Sequence, residues 1–423
     1  MTTATVIGAG LAGLAAALRL AEGGCQVTLL SKGLGGLPLS PGTVDVLGYT
    51  PERTVAPLAA AAALAKAQPT HPYAAIGLET VKTGLDWLRG RLPDLLTGDP
   101  AVNVVLPTAV GALRPTCLFQ PSMAAGDLGQ GRSLARLGPR PLKDLTPELC
   151  AANLARQTVD GRPIHAQAYR IDLPARPGEA DSSALNYARA LDQADYRRTF
   201  AAAVKAVIGD EDAVGLPALL GLADRTAWRE VEALVGRPVF EIPLPPPSVP
   251  GLRLDSALTA AAKAAGVRFV LGSKVVGATA EGSHLVSVKL HQAGRDQAWT
   301  ADEFVYAPGG FESGALALDS HGRLAETVFR LPLTDAGGAA QGTAADLDRL
   351  ITGDYWHDQG LFAVGVAVDP AMRPVDSQGR PVFGNLRAVG SLLAGATRWS
   401  EKSGEGIAVG SAVAAADAIL KGR

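Results

Sequence analysis

From Thr3 to Gly8 the chain is apolar and partly β-branched, which predicts a short buried strand. Leu11 to Leu20 is rich in Ala and Leu with no breaker, which predicts a helix, and Gly23-Gly24 closes it as a C-cap does. Gln26 to Leu30 predicts the next buried strand, so the segment reads as one β–turn–α–β unit. A loop of Gly and Pro follows from Gly33 to Gly42, then an Ala-dominated helix from Ala56 to Ala67. Val104, Val105 and Ala109 to Leu113 read as strand edges around a turn at Pro107.

Between about Ala124 and Ala180 the pattern weakens, because Pro, Arg and Gly interrupt it repeatedly; this predicts a surface-facing subdomain outside the main sheet. Ser183 to Ala206 reads as helix, Val214 to Leu220 as a buried strand and Arg225 to Val235 as helix. The run from Pro243 to Gly251 is rigid and extended, since each proline fixes φ and biases its predecessor away from α. It is either a linker or a wall lining a cleft. Leu252 to Ala265 predicts a helix, and Val267 to Leu271, Leu285 to Leu290 and Phe304 to Ala307 predict strands. The last third ends with a strand from Leu386 to Val389, a loop from Gly390 to Gly406 and an Ala-rich helix from Ile407.

Composition narrows the classes. With 423 residues, at about 150 per domain, the chain holds about three domain-sized masses or one discontinuous α/β core with a cap. The hydrophobic share of 47% against 19% charged residues excludes a disordered chain. Thirty-nine Lys and Arg against 41 Asp and Glu leave a net −2, so no basic field exists to hold nucleic acid or anionic lipid. The three cysteines, Cys25, Cys117 and Cys150, lie far apart without a C-x-x-C pair. That excludes a self-contained iron–sulfur or zinc site and suits reduced thiols in a cytoplasmic protein; no metal site is expected. The first residues lack the basic start of a signal peptide, and Gly406 to Leu420 is short for a span and carries Asp417. We therefore expect a soluble chain without direct membrane insertion.

The chemistry sits in the turn Gly8-Ala9-Gly10-Leu11-Ala12-Gly13, which follows a strand and opens a helix. Gly8 permits the sharp turn, Gly10 lets the backbone touch a diphosphate, and Gly13 lets the helix pack on the sheet, while the first helical amides at Leu11 and Ala12 face the phosphates. At the end of the second strand an NAD enzyme places an acidic residue on the ribose, but Ser31-Lys32 stands here; both are expected at the cofactor, Ser31 able to donate to and accept from a ribose, and the missing acid weakens an NAD reading. Two later features point to a flavin instead. The strand through Tyr306 runs into Pro308-Gly309-Gly310, and the strand from Asn385 ends at Gly390-Ser391. A loop with Gly404 and Gly406 then opens the last helix at Ile407, whose N-terminus would stabilise a reduced flavin ring; Glu405 is expected to face outward. A turn built for a diphosphate favours FAD over FMN, which has none.

These residues resemble the family of B subunits of anaerobic glycerol-3-phosphate dehydrogenase. The likeness rests on VIGAGLAGL, LSPGTVDVL (Leu39 to Leu47), HPYAAIG (His71 to Gly77), ALRPT (Ala112 to Thr116) and LPALLGLAD (Leu216 to Asp224). It continues through LPPPSVPGLRL (Leu244 to Leu254), APGGFESGAL (Ala307 to Leu316) and NLRAVGSLLAG (Asn385 to Gly395). The resemblance implies a glutathione-reductase-like α/β flavoprotein: a parallel-sheet, Rossmann-like FAD/NAD(P)-binding fold with an inserted cap. On this basis residues 1–115 and 251–423 form the two parts of the flavin domain and 116–250 the cap or substrate domain. It further implies an FMN-dependent protein that pairs with a larger catalytic A subunit. An iron–sulfur C subunit would tether the pair to the cytoplasmic face of the membrane. The complex would oxidise glycerol 3-phosphate to dihydroxyacetone phosphate and pass electrons to quinone, and so to fumarate or nitrate. Where the family's segment before the last helix can be rich in Cys and Gly, Glu401-Lys402-Ser403-Gly404-Glu405 stands here, so no thiol chemistry is expected at that point.

Alcohol oxidation at a flavin needs a base and cations for the phosphate. His71 is the candidate base, with capping of the turn at Pro72 as the alternative, and Arg253 is the first choice for phosphate, ahead of Arg114, Arg373 and Arg398. An ion pair with a carboxylate is the alternative for the arginines. Two rival readings stay open: a self-sufficient FAD-dependent oxidoreductase of the fumarate reductase or ketosteroid dehydrogenase type, and a non-catalytic scaffold protein within a complex.

Overall fold

A computed structural model describes residues 1–422. Nine strands build its two main sheets: β1 (Thr3–Ile7), β2 (Gln26–Ser31), β3 (Leu134–Pro139), β4 (Ala166–Ile171), β5 (Ala213–Pro217), β6 (Val239–Ile242), β7 (Arg268–Leu271), β8 (Glu303–Tyr306) and β9 (Leu386–Ala388). They fall into two compact units. The first takes residues 1–36, 45–91 and 258 onward; the second takes 37–44 and 92–257.

In the first unit the sheet runs β7-β2-β1-β8-β9, all parallel. Val6 in β1 lies opposite Leu29 on one side and Val305 on the other. β1 is buried from Ala4 to Ile7, which is why it reads as an unbroken apolar run rather than an alternating one. The first helix, Leu11–Glu22, ends at Gly23, as its sequence predicts. Its partner is the last helix, Gly404–Lys421, and small side chains let helices come close here. Gly84 of the helix Leu78–Arg91 shows how close: a Cβ there would fall 3.2 Å from Val409 and Val413 of the last helix. That last helix begins three residues before Ile407, the expected start. The unit also carries an antiparallel meander of Lys274–Glu281, His284–Gln292 and Arg295–Thr300, of which only the middle strand is legible in the sequence, and smaller antiparallel sheets between residues 316 and 346.

The second unit has its own parallel sheet, β4-β3-β5-β6. One face packs on Leu137, Tyr187, Phe200 and Val214, the other on Leu134, Cys150, Leu154 and Phe240. This corrects the expectation for residues 124–180. Far from facing the surface, β3 is buried along its whole length between β4 and β5. The disguise is Arg136, which is fully buried with its guanidinium 4.8 Å from the Phe240 ring centroid. It occupies room that Gly215 leaves, since a Cβ there would fall 2.4 Å from Arg136 Nη1.

The unit boundaries also differ from those expected. Thr97–Gly98 pairs with Leu118–Phe119, and Val44 bridges Leu118, so residues 92–115 cannot be separated from the segment that follows them. The helix expected over Ser183 to Ala206 is two, Ala184–Leu191 and Ala194–Lys205. Asp192 at the break turns its carboxylate to the amides of Leu222, Ala223 and Asp224. Nor is the Pro243–Gly251 run a linker. It lies inside the second unit, with the Ser248 amide donating to the Pro38 carbonyl at 2.8 Å. The helix Val249–Ala264 starts within it because Pro250 falls in the first turn, where no amide is needed.

Candidate functional site

The first sheet brings its carboxyl ends together: Ile7 leads into Gly8, β2 ends at Ser31, β8 runs into Pro308-Gly309-Gly310 and β9 into Gly390-Ser391. β1 is flanked by β2 and β8, so the connections diverge beside it and leave the crevice where open α/β sheets bind nucleotides. Gly8 adopts φ +113°, and a Cβ there would lie 2.1 Å from the Ala307 carbonyl oxygen. At Gly13 a Cβ would lie 2.0 Å from the Gly8 oxygen. Both positions are therefore closed to every other residue.

Gly10 differs. It caps the first helix in an extended conformation without a side-chain hydrogen bond, and its nearest neighbour to an added Cβ is the Gly36 nitrogen at 4.0 Å. No acidic residue stands in the first turn, so the amides of Leu11 and Ala12 open a helix with its positive end unquenched. A turn with no side chain where a diphosphate must approach fits the dinucleotide flavin. Gly390, at φ +76°, keeps the β9 loop against this turn, since a Cβ there would be 3.0 Å from Ala12 Cβ. Its own amide donates to Ser411 Oγ at 3.0 Å.

Other expected contacts are already engaged within the chain. The Ser31 hydroxyl donates to the Gly33 carbonyl at 2.5 Å and accepts from the Gly33 amide, while Lys32 is exposed. The Gly406 amide donates to the Asp45 carbonyl and the Ile407 amide to the Ser403 carbonyl, so neither is offered to a ligand. Gly406 is required by packing instead: a Cβ would lie 2.4 Å from Tyr73 Oη. Glu405 is half-buried rather than turned fully outward.

The two residues named as catalytic do other work. His71 is 1% exposed and caps the short helix Pro72–Ile76, its Nδ1 accepting the Tyr73 amide at 3.2 Å. That leaves the proton on Nε2, which donates to Glu401 Oε2 at 3.2 Å. Neither ring nitrogen is free to take a substrate proton. Glu401 also accepts from the Thr397 amide and hydroxyl and from Ser403 Oγ. Burial pushes its carboxyl up, but His71 and Thr397 outweigh this and hold it at about 2. The Glu401 carbonyl meanwhile accepts the Gly48 and Tyr49 amides. Glu401 thus ties three stretches of chain together just before the last helix. A cavity of about 250 Å³ lies beside this clamp, lined by Thr70, His71, Thr334, Val366, Asp376 and Leu393 among others.

Arg253 belongs to the second unit and is 3% exposed. Its Nε donates to the Gly221 carbonyl, Nη1 to Glu241 Oε2 and Gln120 Oε1, and Nη2 to Gly221 and Glu241 Oε1. Every N–H of the guanidinium has a protein acceptor, so the ion-pair alternative holds and the phosphate role does not. Arg114 also lies in the second unit, and Arg373 pairs with Asp369 at 2.7 Å. Arg398 remains. Its side chain is 10% exposed, burial lowers its affinity for the proton, and it stands at the Gly310 turn. Among the described residues no cluster of His, Cys, Asp and Glu is placed to hold a metal ion, and no helix is long and apolar enough to cross a membrane.

A family model described as a FAD binding domain matches residues 3–407. Fold and site therefore define the class: a flavoprotein of the FAD type, built on the Rossmann-like parallel sheet. Over 430 residues the chain is 32% identical to a Halobacterium salinarum protein named as the probable B subunit of anaerobic glycerol-3-phosphate dehydrogenase, covering 98% of this chain and 97% of the other. A Pectobacterium atrosepticum protein named as the B subunit of anaerobic glycerol-3-phosphate dehydrogenase is 30% identical over 434 residues, with 98% of each covered. The chain belongs to this family of B subunits. Among solved structures, a 3-ketosteroid Δ1-dehydrogenase from Sterolibacterium denitrificans matches over 100% of both chains at 12% identity and a TM-score of 0.47, too distant to bear on function.

Proposed function

We propose that the chain is the FAD-carrying B subunit of a multi-subunit respiratory glycerol-3-phosphate dehydrogenase. The complex oxidises sn-glycerol 3-phosphate to dihydroxyacetone phosphate and passes the electrons to quinone. The observation that carries this reading is the glycine turn at the crevice of the first sheet, intact in a chain that aligns end to end with named B subunits. When bound, the flavin supplies the hydride acceptor. The chain's part is to hold its diphosphate with the backbone at Gly8, Gly10, Leu11 and Ala12, and to keep Gly309 and Gly390 close without side chains.

The engagement of both His71 nitrogens favours dependence on a partner, because a substrate hydroxyl needs a base that His71 cannot be. We take the catalytic A subunit and the iron–sulfur C subunit as the partners, the latter holding the complex to the inner face of the membrane. The purified chain should show flavin absorption, and the flavin released by heat should run as FAD on chromatography. Glycerol 3-phosphate should bleach the flavin when the A subunit is co-expressed and not otherwise. Release of FMN alone, or a colourless folded protein, defeats the reading. Bleaching by the chain alone would instead support the self-sufficient oxidoreductase.

A further inference from the structure

The first unit holds an arginine whose placement neither the fold nor the diphosphate cradle explains. Arg398 opens the short helix Arg398–Glu401, between the β9 loop and the last helix. Its side chain is nine-tenths buried, and Nη1 is buried with no hydrogen-bond partner. The carboxylate paired with it, Glu312, stands 4.0 Å from Nη2, beyond hydrogen-bond reach, and is itself 47% exposed; the Glu401 charge also acts on Arg398, without a hydrogen bond. A guanidinium removed from water and left short of acceptors is costly, whereas Arg253 in the second unit has an acceptor for every N–H. Gly310 leaves room for both partners: a Cβ there would fall 3.0 Å from Arg398 Nη2, 3.0 Å from Glu312 Oε2 and 3.1 Å from the Ser391 carbonyl oxygen. The backbone of Gly404, where the last helix starts, lies against its stem, with a Cβ there 3.8 Å from Arg398 Cβ. The guanidinium therefore stands at the β8 turn, with its stem against the first residue of an 18-residue helix.

Resting on the flavin reading above, we propose that Arg398 is the anion receptor of the crevice and takes the phosphate monoester of the substrate. The planar fork matches phosphate oxygens two at a time, and buried Nη1 has no protein acceptor to satisfy it. The cofactor's own diphosphate belongs to Gly8–Ala12 at the end of β1, whereas Arg398 stands at the Gly310 turn that follows β8. Glu312 at the rim is the group a phosphate must outbid.

Calorimetric titration of inorganic phosphate and of glycerol 3-phosphate into the flavin-loaded full chain tests this. Arg398→Gln should weaken both by about tenfold to a hundredfold, the range of a lost charge-assisted hydrogen bond. Arg398→Lys should retain the charge and recover part of the loss, while glycerol, which lacks the phosphate, should bind wild type and both variants alike. Glu312→Gln should tighten phosphate by a few-fold; a purely structural Arg398–Glu312 pair predicts a lower melting temperature and no gain in affinity. Should Arg398→Gln fail to fold, Arg398→Lys and Glu312→Gln still decide the question. Unchanged phosphate affinity in the folded variants overturns the proposal, whatever happens to the flavin potential. A colourless wild-type chain would instead count against the flavin reading; the same titration would then be run on the flavin-free chain, where equal phosphate affinity of wild type and Arg398→Gln still overturns the proposal.

Discussion

The two units each carry a parallel sheet, and they treat the carboxyl ends of their strands in opposite ways. In the first unit the end of β1 is bare: Gly8 and Gly13 are forced by contacts near 2 Å, and Gly10 leaves open space above uncapped amides. In the second unit the ends of β5 and β6 are filled from within. Glu241 of β6 accepts the Leu220 amide, Ser122 Oγ and Arg253, and Arg253 closes on the Gly221 carbonyl. A parallel sheet creates a crevice at such ends, but whether it becomes a ligand site depends on whether side chains of the same chain satisfy it first.

This contrast can be broken most severely at the second unit. Arg253→Ala leaves Glu241 buried without its cation and should cost about 3–5 kcal/mol in denaturant unfolding, while flavin content per folded molecule stays unchanged. If flavin or phosphate binding fell without loss of stability, Arg253 would be a ligand after all. Next in size is Gly13→Val, whose branched side chain meets the Gly8 carbonyl; about 3 kcal/mol should be lost, and flavin with it. Retention of bound flavin in that variant would show that the turn is not the cradle.

Glu401→Gln should be smaller, about 2 kcal/mol at neutral pH. Its carboxyl titrates at about 2 in the folded chain against 4.5 when unperturbed. Because the folded value is depressed, its contribution is present above about 4.5 and disappears as pH falls through about 2. The gap between the wild-type and variant stability curves should therefore close over that acid window, and a constant gap would mean that the carboxylate's charge is not what matters. Smallest in stability, and sharpest for function, is Gly10→Ala. Its φ of −77° suits alanine and the added methyl meets nothing closer than 4.0 Å, so stability should change by less than about 0.5 kcal/mol. The methyl nevertheless takes the space a diphosphate needs, and the purified variant should lose its yellow colour.

Legibility follows range. The turn from Gly8 to Gly13, the strands on either side of it and the Gly23-Gly24 stop are all readable, because each depends on neighbours a few positions away. The central strand of the second sheet is not, since Arg136 looks like a surface residue until Phe240 and Gly215 are seen to house it. Glu401 stands out in the sequence only as a departure from a family pattern, yet it is the point that His71 reaches across 330 positions. The one usable hint is His71-Pro72 itself, whose capping alternative is what the structure contains.

By itself, then, the order of residues determined the nucleotide-binding turn, since glycine alone tolerates the local φ and the close approach of backbone there. Tertiary structure alone decided which polar side chains remain available. Arg253 meets its acceptors 12, 32 and 133 positions away, and Arg398, with the same charge, meets none at its Nη1. Availability is a property of what the fold brings within hydrogen-bond reach, and residue type does not carry it.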